Sequence, residues 1–565
     1  MRVIRYLRNP QNLLFLALLC VVAYFTIGPL LMLAYGSLHS SPPGVPGKFT
    51  FAHYILIYSD PRTFRLLWVT LYYSFFASLI SFGMGAFLAW VVERTDAPLR
   101  TLISQLSLAP MFLPSVLVTL SWVFLLGPDT GLINNWLGAL LGPDYRLNVY
   151  SLWGMIWVKG TVDIPLVYLW LSPSLKSMDP NLEEAGYASG ASGLQVLKDI
   201  SLPMLAPALL ATWLITFILS IEDLAVPIFI GLPARVLVFA SEIYLASSSP
   251  PTNVNVASTY AALLLVISLI GILLYRKATS ASEKYAVVSG KAYRPRSLEL
   301  GRSKWLVTGL ALAILVLTVG LPVLLMLWNS FMPFAQTPTL KGLNLLTSGN
   351  YMDVFRSSLL VRSLKNSVLL GLTTGVVVMM VSSVIAWMVI RTKVRFREAV
   401  DFLAFLPIAI PGVVVGISLI WVYLTLPIPI YATKWILLVA YFTRFIPYGV
   451  RLSYVGQSQI HPELEEASAA SGAGWLQTFR RITLVLLAPT MFAGIAYVLV
   501  RAFRELPASI LLAHSGSEVF SVAVYSLWEV GALPRLAALG IFAIVVLVVS
   551  VLIVRKITGR YYISA

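Results

Sequence analysis

Long apolar runs punctuated by short polar intervals set the pattern of this chain. A helix needs about 20 mainly apolar residues to cross the hydrocarbon core of a bilayer. Twelve segments reach that length. In the first half they lie near residues 12–35, 67–91, 102–126, 150–171, 204–222 and 256–275. In the second they lie near 304–328, 367–390, 402–426, 435–455, 483–503 and 537–556. The runs are solidly apolar, as in LLLVISLIGILLY at 263–275, whereas a transmembrane barrel would show segments of about ten residues alternating in polarity. The pattern predicts an all-α, polytopic membrane protein with about twelve transmembrane helices. Arg2, Arg5 and Arg8 precede the first run, as in a signal peptide. That run is too long for a signal peptide and lacks a small-residue cleavage site, so a retained first span is expected.

Composition agrees. Of 565 residues, 58% are hydrophobic and 11% charged, less than half the roughly 25% of a soluble domain. The single cysteine, Cys20, leaves no internal disulfide or cysteine-based metal cluster, and four scattered histidines make no zinc pattern. A net charge of +16 raises nucleic acid as a partner, but the basic residues cluster at the ends of apolar runs. With the N-terminus inside, the inner loops hold 24 Lys and Arg and the outer loops 12. That excess places both termini in the cytoplasm. Six spans per half give the two halves the same orientation, a parallel repeat.

The repeat is written in the residues. AWVVERT (89–95) matches AWMVIRT (386–392) at an offset of 297, and Pro110 and Pro114 match Pro407 and Pro411 at the same offset. EEAGYASGASGLQ (183–195) returns as EEASAASGAGWLQ (465–477), offset by 282 and identical at 9 of 13 positions. The expected organisation is a six-span domain over 1–275, a basic cytoplasmic linker over 276–304, and a second six-span domain over 305–565. The matched prolines are candidate kinks in spans three and nine, although proline is also common in membrane helices generally.

Both copies of the small polar segment fall in cytoplasmic loops, after spans four and ten. In DPNLEEA, Asp179 is a candidate N-cap and Pro180 the first helical residue. Glu183 and Glu184 favour the positive helix end, and Gly190 is placed to end the helix in a left-handed conformation. HPELEEASAASGAG repeats the plan with Glu465, Glu466 and Gly472. A helix of about ten residues is marginal alone in water. Its small residues let a partner approach the backbone, and two copies suit a partner with two equivalent pockets. An ordinary pair of capped loop helices is the plainer alternative.

The segment EAGYASGASGLQVLKDISLP (184–203) resembles the conserved cytoplasmic loop of permease subunits in ATP-binding-cassette importers: Glu-Ala-Ala, three residues, Gly, nine residues, Ile-x-Leu-Pro. Glu184, Ala185, Gly190, Ile200, Leu202 and Pro203 fit, with Gly186 in place of the second Ala. Glu466, Ala467, Gly472, Ile482 and Leu484 fit in the second copy, which departs at Ser468 and Val485. The resemblance covers nearly the whole chain and implies two tandem parallel permease domains of the type I importer fold in a bacterial inner membrane. It implies that Glu183, Glu184, Ala185, Gly190, Glu465, Glu466, Ala467 and Gly472 couple to two copies of an ATPase subunit. A periplasmic binding protein would deliver solute, and ATP with magnesium would sit on the partner, with no cofactor in this chain. Accordingly no G-x-x-x-x-G-K-[ST] phosphate loop occurs: Gly47-Lys48 and Gly290-Lys291 are followed by Phe49 and Ala292. The chain is expected to be a transport subunit and not an enzyme.

Ionisable residues within spans are costly and often functional. Lys159 and Asp163 stand four apart, placed to neutralise each other, and Arg444 and Arg451 lie in span ten. Glu222 and Asp223 end span five; Arg501, Arg504 and Glu505 take the matching place on span eleven. These five are candidates for the substrate pathway, or else interfacial charges reaching for water. A fused two-domain permease resembles ferric-iron and thiamine importers, and EDLAVPIFIGLPARVLVFASEIYLA (222–246) is more similar to the ferric-iron group. Ferric iron is the expected solute; thiamine, phosphonates, sugar phosphates and polyamines are alternatives. A reading of another class, an ion-coupled secondary transporter, also allows twelve spans in a parallel repeat, but calls for buried mid-membrane carboxylates and leaves the paired loops unexplained.

Overall fold

The computed structural model describes residues 10–128, 131–142, 144–178, 180–280 and 298–563. These residues are helical almost throughout; β-pairing among them is limited to two isolated bridges. Among them, eight helices are long and apolar enough to cross a membrane, or ten if each of two bent pairs counts as one span. The expected Asp179 cap, the first nine residues and linker residues 281–297 lie outside the described residues.

The first half runs α1 (Pro10–Ser37), α2 (Pro61–Arg94), α3 (Arg100–Leu108), α4 (Ser115–Leu126), α5 (Leu152–Val162), α6 (Ile164–Ser177), α7 (Pro180–Ala188), α8 (Leu202–Ile221) and α9 (Val254–Ser280). The second runs α10 (Gly301–Ser330), α11 (Ser358–Arg391), α12 (Arg397–Phe405), α13 (Gly412–Thr425), α14 (Lys434–Ser458), α15 (Pro462–Ala470), α16 (Leu484–Arg504) and α17 (Leu533–Ile563). The long helices of each half start alike. Asp60 caps α2 by accepting from the Arg62 amide at 2.8 Å, with Pro61 behind it. Ser357 caps α11 through the Leu360 amide.

Three expected spans are interrupted. The segments read as 102–126 and 402–426 bend by 105° and 110°. Each breaks at its proline pair: Pro110 and Pro407 lie in short 3-10 turns, and Pro114 and Pro411 start the next helix with extended ψ angles. Proline has no amide hydrogen and its ring clashes with the preceding turn, so the kink expected from the sequence is in the structure a break that turns the helix through more than a right angle. Span four breaks at Asp163, where Pro165 opens α6. The matching Ile446-Pro447 stays inside the continuous α14. The approach to both bent segments carries the same unusual feature: Leu99 and Phe396, at equivalent positions before α3 and α12, adopt left-handed φ angles of 60° and 66°.

The two halves exchange their first helices. α1 packs on α12 and α13 of the second half as well as on α9, and α10 packs on α3 and α4 of the first half as well as on α17. Lipid offers apolar side chains no less than a neighbouring helix does, so close packing and hydrogen bonds must hold the helices together. The structure uses both. Gly371 and Gly375 on α11 bring its backbone onto Leu499 and Ile495 of α16. Fully buried Trp421 on α13 donates its indole N–H to Ser258 on α9 at 2.8 Å. Gly36 of α1 faces the same indole: a Cβ there would lie 2.3 Å from the ring. The end of the linker is also docked, since Leu298 donates to Arg94 O at 2.8 Å and accepts from the Asp96 amide at 3.1 Å.

Gly36→Ala is therefore expected to lower the thermal unfolding midpoint of the purified protein, because a rigid ring must move; overpacking of this kind costs roughly 1–3 kcal/mol. Gly83→Ala, where a Cβ meets nothing within 4 Å, is the control and should leave the midpoint unchanged or raised.

Candidate functional site

A cavity of about 770 Å³ lies between the halves, walled by α5, α6 and α8 of the first and by α14 and α16 of the second. α8 has 20 residues, about 30 Å of helix, and the cavity's charged groups sit at its far end from the loop that carries α7. The five residues singled out in the sequence, Glu222, Asp223, Arg501, Arg504 and Glu505, all line it. Lys159, Asp163 and Arg444 join them, making four cations and four carboxylates.

Their pairing explains how these charges are accommodated. Lys159 Nζ lies 2.9 Å from Asp163 and 3.5 Å from Asp223, so the expected neutralisation within span four extends to a second carboxylate. Arg444 reaches Glu222 at 3.0 Å and Glu505 at 3.5 Å, with side-chain exposures of 11%, 8% and 5%. The Arg444–Glu222 pair joins the two halves. Asp223 and Glu505 also cap equivalent turns, accepting from the amides of Val226 and Ala508 at 3.1 Å each. Tyr73 donates to Asp223 at 3.2 Å.

The arginines also answer the proline breaks. Breaking a helix frees carbonyl oxygens that lipid cannot satisfy. Arg444 donates to Ile410 O at 2.7 Å, beside Pro411, and Arg504 donates to Met111 O at 2.8 Å, beside Pro110. The second contact again crosses from one half to the other. Arg501 donates to the Tyr448 hydroxyl at 3.1 Å and lies over a tyrosine ring. Among the described residues neither Arg501 nor Arg504 has a carboxylate within ion-pairing distance. The site is thus two carboxylate-rich triads, each centred on one cation, beside two guanidinium groups held by neutral oxygens. Arg451, the other cation of span ten, turns away to pair with Asp401 at 3.2 Å. The Arg444–Glu222 bridge went unforeseen because its partners are 222 residues apart, with no local spacing to announce them.

The second candidate site is the pair of loop helices, α7 and α15. Glu183, first of its glutamates, is bonded to Arg94 at the end of α2 and accepts from Ser201 Oγ at 2.6 Å. Glu465 repeats this with Arg391 at 3.6 Å and Thr483 Oγ1 at 2.8 Å. These two glutamates face inward and fasten each loop to the end of a long helix. Glu184, Ala185, Glu466 and Ala467 are exposed. Gly190 and Gly472 end the helices with φ of 84° and 85°. Ala191 N donates to Gly186 O, and Ala473 N to Ser468 O, each at 3.1 Å, the closing bond of a Schellman turn. The left-handed glycine ends read from the sequence are thus present in both copies.

The family model described as the binding-protein-dependent transport system inner membrane component matches residues 81–278 and 379–561, once in each half. The ferric transport system permease protein FbpB of Actinobacillus pleuropneumoniae is 28% identical over 502 residues, which cover 88% of this chain and 71% of that one. A putative ferric transport system permease protein of Haemophilus influenzae is 26% identical over 517 residues, covering 90% and 79%. A chain of a solved bacterial transporter involved in import of the acidic polysaccharide alginate is 20% identical, covers 46% of this chain and 96% of that one, and has a TM-score of 0.36.

Removing one member of a buried ion pair strands the other, at a cost of roughly 3–5 kcal/mol. Arg444→Gln should therefore lower the unfolding midpoint strongly. Glu222→Gln combined with Arg444→Gln should lower it by less than the two single effects summed; strict additivity would deny the bridge.

Proposed function

The chain belongs to the family of inner-membrane components of binding-protein-dependent transport systems, the permeases of ATP-binding-cassette importers, and on that premise we propose that its solute is ferric iron. A permease of this family works with an ATPase and with a periplasmic binding protein, and performs no catalysis itself. The single observation behind iron is the likeness, over 88% of the chain, to a ferric transport system permease protein.

In this reading twelve segments cross the membrane, the bent pairs and the split fourth segment each counting as one span, with both termini in the cytoplasm. Two copies of the ATPase grip α7 and α15, and the cavity between the halves carries the solute. The inward glutamates, Glu183 and Glu465, serve as fasteners, and the exposed Glu184, Ala185, Glu466 and Ala467 as the docking face. A loop helix pushed by the ATPase passes its motion to α2 or α11 through the Arg94–Glu183 or Arg391–Glu465 pair. Rigid levers acting on a two-state bundle are what such a switch needs. Closing of the ATPase dimer around ATP would move both levers together and turn the cavity from one side of the membrane to the other.

The cavity suits iron carried in a complex better than a bare cation. Its four carboxylates are already shared by Lys159 and Arg444. No group of three or more His, Cys, Asp and Glu among the described residues has the arrangement to hold a metal ion. Arg501 and Arg504 favour an anionic surface on whatever passes. The same arginines support a second reading, in which the solute is an organic anion such as a phosphonate; they count against a polyamine.

Uptake by the permease reconstituted with its ATPase and binding protein should follow radiolabelled iron presented on the binding protein, and should fall at least tenfold in Arg504→Ala. Uptake of a phosphonate with no iron transport would replace the first reading by the second. Valine at both Gly190 and Gly472 forces a β-branched residue into left-handed backbone. This double variant should hydrolyse ATP without accumulating solute, while inserting normally; full uptake would remove the docking role.

A further inference from the structure

A second cavity, of about 680 Å³, opens beside α7 and is lined by Trp90, Arg94, Glu184, Tyr187, Leu197 and Glu299, among others. Its counterpart in the second half is filled by the chain itself. Trp387, which matches Trp90, stacks on Trp475 with ring centroids 5.5 Å apart and planes inclined by 27°. Phe479 meets the same indole edge-on at 5.9 Å. The residues that match Trp475 and Phe479 in the first half are Gly193 and Leu197. Removing an indole and a phenyl ring leaves Trp90 with Phe87, on its own helix, as its ring neighbour. Tyr187 does not replace the lost rings: its hydroxyl passes 3.7 Å from where a Gly193 Cβ would stand, its side chain is 43% exposed, and the cavity remains.

The second half therefore displays, within one molecule, what fits against this tryptophan: a flat aromatic ring stacked on its face. The charge of the first-half pocket differs from that template. Arg94 is engaged by Glu183, and Glu299, at an exposed position, adds a further carboxylate to the lining. Glu299 comes from the end of the linker, which the Leu298 and Leu300 amides fasten to Arg94 and Asp96 at 2.8 Å and 2.9 Å. A tryptophan face beside carboxylates attracts a cation as well as a ring.

We infer that this pocket is a cytosolic binding site for a small planar aromatic cation, which takes the place that Trp475 fills in the other half. A bound molecule bridges α2, α7 and the docked linker end, and so braces the first loop as the Trp387–Trp475 stack braces the second. The two loops then differ in kind: one is braced by its own sequence, the other by a ligand. The regulatory consequence rests on the coupling role proposed above; the binding itself does not.

The test uses the full chain with its ATPase in lipid nanodiscs and tryptamine as the probe, titrated calorimetrically. One tryptamine should bind per chain. Indole-3-acetate, the same ring with the opposite charge, should bind at least tenfold more weakly. Gly193→Trp rebuilds the second-half plug at a position with normal backbone and room for a Cβ, and should abolish binding. Glu299→Gln, at an exposed position, should weaken binding several-fold without touching the fold. Tryptamine should change the ATPase rate of the wild type and leave that of Gly193→Trp unaltered. The site is refuted if tryptamine does not saturate the wild type, if Gly193→Trp binds it as well as the wild type does, or if indole-3-acetate binds equally. Saturable binding that leaves ATP hydrolysis untouched would keep the site and overturn its regulatory use.

Discussion

Charge buried between the two halves is the constraint on which the rest of this architecture turns. Eight ionisable groups meet in one cavity, and each needs a partner, because an isolated ion removed from water costs several kcal/mol even after relaxation. The partners come from both halves: Arg444 holds Glu222 across the interface, and Arg504 reaches over to Met111 O. The arginines also satisfy carbonyl oxygens beside broken helices. Proline breaks and buried arginines are thus two parts of one solution. The first break borders the cavity at Leu108, Met111 and Ser115, and the guanidinium groups make the freed backbone at both breaks tolerable.

The same economy appears at the cytosolic end. Each loop helix is fastened by one glutamate to an arginine that ends a long helix, and by one hydroxyl that begins the next. The residue roles are repeated, although Arg94 hydrogen-bonds Glu183 through Nη2 whereas Arg391 faces Glu465 through Nε at 3.6 Å; the surroundings differ more. Tryptophan and phenylalanine fill the space behind α15, and glycine and leucine leave it open behind α7. A duplicated chain can keep its loop fastenings alike while its two ends diverge in what packs behind them.

Much of the fold was legible because membrane helices announce themselves by length and apolarity, and the repeat showed at fixed offsets such as Trp90 with Trp387. The glycine ends of the loop helices were legible for a local reason: only a residue without Cβ takes the left-handed turn freely. Three things were not. A proline pair within an apolar run has the same composition whether it kinks a span gently or breaks it past a right angle, so the breaks at Pro110–Pro114 and Pro407–Pro411 needed tertiary structure. The swap of first helices, and the bridge from Glu222 to Arg444, join residues hundreds of positions apart and leave no periodicity. The pattern groups Glu183 and Glu465 with Glu184 and Glu466, and the structure turns the first of each pair inward and leaves the second exposed; a glutamate pair in a short helix does not say which member faces out.

The central claim is that the charged cavity between the halves is a pathway that opens to one side of the membrane at a time. Ser115 lines that cavity, and Cys20 is the only native thiol. Ser115→Cys in a Cys20→Ser background, with the ATPase present, can be labelled by a membrane-impermeant maleimide in oriented vesicles. The account predicts labelling from one face without nucleotide and from the opposite face when the ATPase is trapped with ATP and vanadate. Labelling from the same face in both states, or from neither face, would contradict it.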